Sequence, residues 1–198
     1  AQWREVRYTL RFDVLDGECE PLEDAEATYD DTIYFTRQEP VKEGYTFVGY
    51  HYKDIYLGKT GHGVRNLTNV DGDVLTLRAL YRYEYDGDGS AENPYILDTP
   101  ESVTALSDYM MIDAFEYDGK DHNAHFRLAG DIDLQGAAIS PICDISAFRG
   151  VIDGGLFTIS NFELRAGLKG YAESYLGFIS ENYGTVRYLR LQDFKVSA

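Results

Sequence analysis

Asp86, Asp88 and Ser90 have the D-x-D-x-S spacing with which the first half of a calcium loop presents its oxygen ligands. An EF-hand loop also needs Gly at its sixth position and Glu at its twelfth, where this chain has Ala91 and Leu97, so that reading fails. A looser calcium site at the same residues stays open beside a simpler reading, a polar hinge in which Gly87 and Gly89 supply positive φ. Asp131 and Asp133 are two residues apart, a spacing that puts both carboxylates on one face of a strand, with Asp153 expected one coil further on. Paired acids at about 5–10 Å are what glycoside hydrolysis uses. No Arg or Lys constellation of the lyase kind accompanies them, and the expectation is a turn and strand-end role in which these carboxylates accept from backbone amides. His51, His62, His122 and His125 form no HExxH and no spaced metal pair. Serine-nucleophile, Walker-type and dinucleotide-binding glycine motifs are missing too, and the sequon at Asn66, Leu67 and Thr68 is treated as chance. The chain therefore reads as a non-enzyme, with no catalytic or cofactor-binding residue and calcium as its one candidate ion.

Charge and composition narrow the class of partner. A net charge of −16, from 34 acidic against 18 basic residues, repels phosphate backbones and disfavours nucleic-acid binding. With 17 Tyr and 10 Phe among 44% hydrophobic residues there is ample material for a core, and the Tyr, Val, Ile and Thr usage favours strands. Cys19 and Cys143 are read as free thiols, since two cysteines are no disulfide framework. No apolar run approaches the roughly 18 residues of a membrane span, and no signal peptide is readable, so any targeting segment is expected outside this stretch.

The elements that must position these residues fall into two modules, 1–85 and 86–198. In the first, residues 6–14 alternate with period two and end at the turn of Asp16 and Gly17; 45–50 and 75–81 are two further strands. Residues 86–90 are the expected hinge. Thr99 then caps a helix with Pro100 in its first turn, and Val103, Leu106, Met110 and Met111 line one face over about three turns, a helix suited to cover the first coil of a stack. The decisive pattern follows. TISNFEL at 158–164 and TVRYLRL at 185–191 superimpose with one offset (158 to 185, 27 residues), the period of a solenoid whose coils bury their inward side chains only by stacking. About three coils are needed for a stable core, so the chain is expected to be part of something longer, with Val186, Leu189 and Leu191 as its last inward set.

The residues GYTFVGY, preceded by Glu39 and Pro40 and followed by LTLRALYRY, resemble the Listeria–Bacteroides repeat, the internalin-type B repeat of bacterial surface proteins. Tyr50 stands where that family usually has Trp. The resemblance implies a compact β-grasp-like fold used as spacer or adhesion module. From Gly87 onward, GDGSAENPYIL, LAGDIDL, SPIC, FRGVIDGGLFTISNFEL and GFISENYGTVRYLRL resemble, in order, the N-terminal part of GLUG-motif β-helix proteins of bacterial adhesins and some immunoglobulin A peptidases. Cys143 and Leu156 stand where Gly is usual, and Ser180 replaces the last Gly of the naming motif.

The resulting expectation is a mainly β chain: a small β-grasp-like module followed by the helix-capped start of a right-handed β-helix. The expected function is that of a non-catalytic adhesin or stalk segment of a bacterial cell-surface or secreted protein, outside the cell. Its expected partner is a surface protein or glycan, with self-association through the C-terminal coil and no membrane insertion. The runner-up is the non-catalytic front of a large secreted hydrolase, and a third reading is glycan binding by exposed Tyr52 and Tyr56.

Overall fold

Strict alternation in RYTLRFD gives β1 (Arg7–Asp13), which buries Tyr8 and Leu10 and turns Arg7 and Arg11 outward. The computed structural model describes residues 4–34, 38–53, 55–59, 61–115, 123–142, 147–166, 168 and 176–197, without the side chains of 110, 111 and 113–115. The protein is mainly β, and its contacts divide it into two units, Ala1–Arg82 and Tyr83–Ala198.

In the first unit β2 (Ala25–Thr28) runs antiparallel to β1. β3 (Ile33–Tyr34), β4 (Tyr45–Tyr52), β5 (Ile55–Gly58), β6 (Gly63–Val64) and β7 (Asp73–Tyr83) follow, and the five-stranded sheet has the order β2-β1-β7-β4-β5. β3 and β6 form a separate antiparallel pair. The first and last long strands lie side by side in parallel, Tyr8 opposite Asp73 and Leu10 opposite Leu75. Tyr8, Leu10, Tyr50, Leu75, Leu77 and Tyr81 fill the core. Phe12 and Phe47 meet the Tyr50 ring edge-on at 5.3 and 5.2 Å, so an aromatic does occupy that interior slot.

The second unit starts with β8 (Tyr95–Leu97), α1 (Pro100–Thr104) and α2 (Leu106–Phe115). Thr99 Oγ1 accepts from the Ser102 amide and Ser102 Oγ accepts from the Thr99 amide, both at 3.1 Å, a closed capping box with Pro100 in the first turn. The single helix expected here is two: the helix is interrupted at Ala105, whose amide still donates to the Glu101 carbonyl at 2.9 Å. α1 packs on β8 and on β10 (Ile132–Ile139), and Val103 and Leu106 join the same core as Leu97 and Leu128. The two Met side chains expected on that face, Met110 and Met111, lie outside the described residues.

β9 (His125–Leu128), β11 (Val151–Asp153) and β13 (Thr185–Arg187) stack in parallel beyond β8, while β10, β12 (Thr158–Arg165) and β14 (Arg190–Ser197) stack in a second parallel sheet. Chain order therefore alternates between the sheets, and each successive pair of strands lies on the one before. Inward side chains form columns: Phe126, Ile152 and Val186 in one sheet, Ile132, Ile159 and Leu191 in the other. Burying them is what holds the coils in register, at about 25 cal/mol per Å² of apolar surface removed from water.

Two expectations are corrected. TISNFEL and TVRYLRL do not lie one on the other at an offset of 27: Thr158 pairs with Arg190 and Thr185 with Val151. The TVRYLRL run thus straddles β13 and the start of β14, and Phe194 and Val196 belong to the last set of stacked residues as well. Period-two alternation recurs in every strand, so a pattern match cannot say which sheet a strand joins. Residues 86–90, expected as a hinge, are knitted into the second unit. Asp86 and Gly89 carbonyls accept from the Ile96 and His125 amides at 2.9 Å, and Tyr85 packs on Tyr95, Tyr109 and Phe126.

Candidate functional site

The acids that suggested chemistry lie in the strands or at their ends, Asp133 beside an irregularity within β10, Asp131 just before β10 and Asp153 at the end of β11. Asp133 Oδ1 accepts from the Gln135 amide at 2.8 Å and from Asn161 Nδ2 at 3.1 Å, the latter a bond between adjacent coils. Gln135, Asn161 and Asp193 take φ of 54°, 56° and 51°, so each strand of this sheet passes through one left-handed residue near the same level. Asp131 Oδ1 accepts from the Thr158 amide at 2.8 Å, again across coils. Asp133 thus satisfies donors beside the left-handed residues, and Asp131 a backbone amide at the start of β12.

Asp153 does not join them. It lies in the other sheet, between Arg127 and Arg187, so the expected row of three acids on one face is corrected. Its Oδ1 accepts from the Gly155 amide at 3.0 Å and its Oδ2 takes Arg187 Nη2 at 2.8 Å. The amide bond of Gly155, with Arg187 and Arg127 nearby, holds the carboxyl below its ordinary value, against a smaller opposing effect of burial. A carboxyl in that state is a poor general acid near neutrality.

Glu163 was not singled out by sequence reasoning and is the most perturbed carboxylate described. Ser197 Oγ, Lys195 Nζ at 2.9 Å and Arg165 Nε at 3.2 Å surround it, and these donors bring its pKa down to about 2. Two of the three donors come from the neighbouring strand. No spacing rule links positions 163, 195 and 197, since only the pairing of β12 with β14 brings them together.

Asp88 accepts from the Ser90 amide at 2.9 Å and Ser90 Oγ accepts from the Asn93 amide at 3.0 Å, bonds that close the 86–93 turn, and hydrogen bonds from the Ser90 side chain and amide lower the Asp88 pKa. The ligand atoms expected of Asp88 and Ser90 are thereby committed to the backbone. Among the described residues no group of three or more His, Cys, Asp or Glu side chains is placed to hold a metal ion. His51 is buried with Nδ1 2.8 Å from the Lys53 carbonyl; His62 Nδ1 is 3.3 Å from the Lys59 carbonyl, and His122 and Cys143 lie outside the described residues. Cys19 is a free thiol.

Tyr52 and Tyr56, expected as exposed rings, are half-buried, and Tyr56 Oη donates to the Val48 carbonyl at 2.9 Å. Among the described residues the exposed tyrosines are Tyr34, Tyr183 and Tyr188, the latter two beside Arg149 and Arg187. A cavity of about 380 Å³ in the first unit lies among Arg7, Glu26, Thr28, Asp31 and Thr32, remote in sequence from the stacked acids, and Arg7 is already paired with Glu5 at 2.9 Å.

The chain is 30% identical over 141 residues to halomucin of Haloquadratum walsbyi (strain DSM 16790 / HBSQ001). That similarity takes in 68% of this chain but spans only about 1% of the length of halomucin. No protein-family profile matches the chain, and no solved structure matches it. No helix among the described residues is long and apolar enough to cross a membrane.

Proposed function

We propose that this chain is a non-catalytic structural segment of a cell-surface or secreted protein, acting as spacer or adhesion module. In this reading the first unit is a β-grasp-like module of the Listeria–Bacteroides kind, and the second is the helix-capped beginning of a right-handed β-helix of the GLUG kind. The observation that carries it is the use of Asp131, Asp133 and Asp153: each accepts from a backbone amide, Asp133 and Asp153 also bond a side chain of the adjacent coil, and the single amide that Asp131 meets, that of Thr158, is itself on the adjacent coil. Acids committed in this way hold coils together and are not poised for proton transfer. The similarity to a short part of a much longer protein supports a segment role. Extracellular placement and a protein or glycan partner are part of the same proposal.

The test is Asp133→Ala, assayed for thermal unfolding and against a panel of polysaccharides and peptides. The expected result is a loss of roughly 1–2 kcal/mol of stability, from two hydrogen bonds, and no cleavage by either form. Cleavage by the parent chain that disappears in the folded variant overturns the reading.

A further inference from the structure

In β9, β11 and β13 the side chains that alternate with the buried Phe126 and Ile152 point outward, and the pairing sets them in rows across the three strands. His125, Val151 and Thr185 make one row; Arg127, Asp153 and Arg187 make the next. The bridge between Phe148 and Asn182 carries the same register further, so Arg149 lies beside Tyr183, its guanidinium carbon 5.2 Å from the ring centre. This face gathers the exposed Arg127, Arg149 and Arg187 around the Asp153 carboxylate, in a chain whose net charge is −16. Glu181, at the rim, is hydrogen-bonded to the Tyr183 hydroxyl. Arg187 is held by Asp153 at 2.8 Å and Arg149 by the Tyr183 ring, whereas the Arg127 side chain has no hydrogen bond or ion pair among the described residues. Arg127 and Arg187 stand two strand spacings apart, roughly 9–10 Å. A further strand beside β13 would pair with its edge and leave this face open.

We propose that the outward face of β9, β11 and β13 binds an acidic polysaccharide, a chain in which uronic acid units alternate with neutral sugars, laid over Arg127, Arg149 and Arg187 with a sugar ring on Tyr183. The planar fork of a guanidinium matches a carboxylate with two parallel hydrogen bonds, and three such groups on one face make a basic island on an acidic molecule. A tyrosine ring presents an apolar body and a polar tip, which suits the C–H face and the hydroxyls of a sugar. The Asp153 carboxylate between the arginines has acceptor sites for sugar hydroxyls. An extended acidic peptide fits less well, because strand addition uses a sheet edge and the backbone groups of β9 and β11 are already paired within the sheet. A densely sulfated chain brings more negative charge against a net −16 and fewer hydroxyl donors for Asp153. The inference rests on the glycan side of the partner proposed above, and its failure leaves untouched the structural role that Asp133→Ala tests.

The experiment titrates the full chain by calorimetry with a decasaccharide of alternating glucuronate and N-acetylglucosamine. The decasaccharide is expected to bind, to bind less well as salt is added, and to lose at least about tenfold in affinity when its carboxylates are reduced to alcohols. Arg127→Gln is expected to weaken binding at least about fivefold with the melting temperature unchanged, since that side chain holds nothing else in place. Tyr183→Ala should weaken it as well; if that variant does not fold, Arg127→Gln decides. Arg65→Gln removes the same charge from the first unit and is expected to leave binding as it is. Absence of binding, equal binding of the reduced decasaccharide, or equal effects of Arg127→Gln and Arg65→Gln overturns the proposal. Tighter binding of a poly-glutamate decapeptide than of the decasaccharide overturns it equally, in favour of an acidic peptide.

Discussion

Glu163 on β12 and Lys195 on β14 are direct partners across a parallel pairing, with Nζ 2.9 Å from Oε2, while Ser197 of the same strand donates to the other carboxylate oxygen. One carboxylate thereby couples the second coil to the third.

The folded value of Glu163, about 2, lies below its ordinary 4.5, so the fold favours the ionised form. The contribution is complete above pH 4.5 and is lost as pH falls toward 2. Urea unfolding of the parent and Glu163→Gln is expected to give curves that diverge at neutral pH and converge across that window. Curves that stay parallel down to pH 2 would show that the ion pairs are not coupled to folding.

Tyr85 sits before the expected hinge but packs within the second unit, where its hydroxyl donates to the Ser102 carbonyl at 2.9 Å. A fragment beginning at Tyr83 is expected to be more stable than one beginning at Asp86. Tyr85→Ala should cost about 2 kcal/mol, and Tyr85→Phe about 1 kcal/mol for the lost hydrogen bond. Equal melting temperatures for the two fragments would place the boundary later.

Gly154 faces the adjacent coil so closely that an added Cβ would overlap the backbone at Leu189 and the Tyr188 carbonyl. Gly154→Ala must spread the coils and is expected to cost roughly 1–3 kcal/mol. Gly130→Ala, where nothing lies within 4 Å, is the control and should stay within about 0.5 kcal/mol of the parent. Chemical unfolding of both variants checks the contrast, and similar losses would refute it.

Leu156 occupies a left-handed turn at φ 72° with 61% of its surface exposed, a conformation in which a branched side chain crowds its own backbone. Leu156→Asn is expected to stabilise the chain by about 0.5–1 kcal/mol, since Asn tolerates that region and little packing is lost. A lower melting temperature would mean that the exposed side chain has a role in packing.

The sequence by itself determined the strands with strong alternation and the capped start of the helical segment at Thr99 and Pro100. These depend on near neighbours. It also marked Leu156 as a residue in a glycine's place, and the positive φ explains why. Only the tertiary structure decided that β1 lies parallel to β7, that Thr158 pairs with Arg190, and that Tyr85 belongs with the second unit. In each case the partner is remote in the chain, and an alternating strand offers the same apolar face to any neighbour; which neighbour it takes depends on loop lengths and on the fit of whole columns. The same limit hid Glu163, whose lowered pKa is due to Lys195 and Ser197 on a strand that only folding brings alongside.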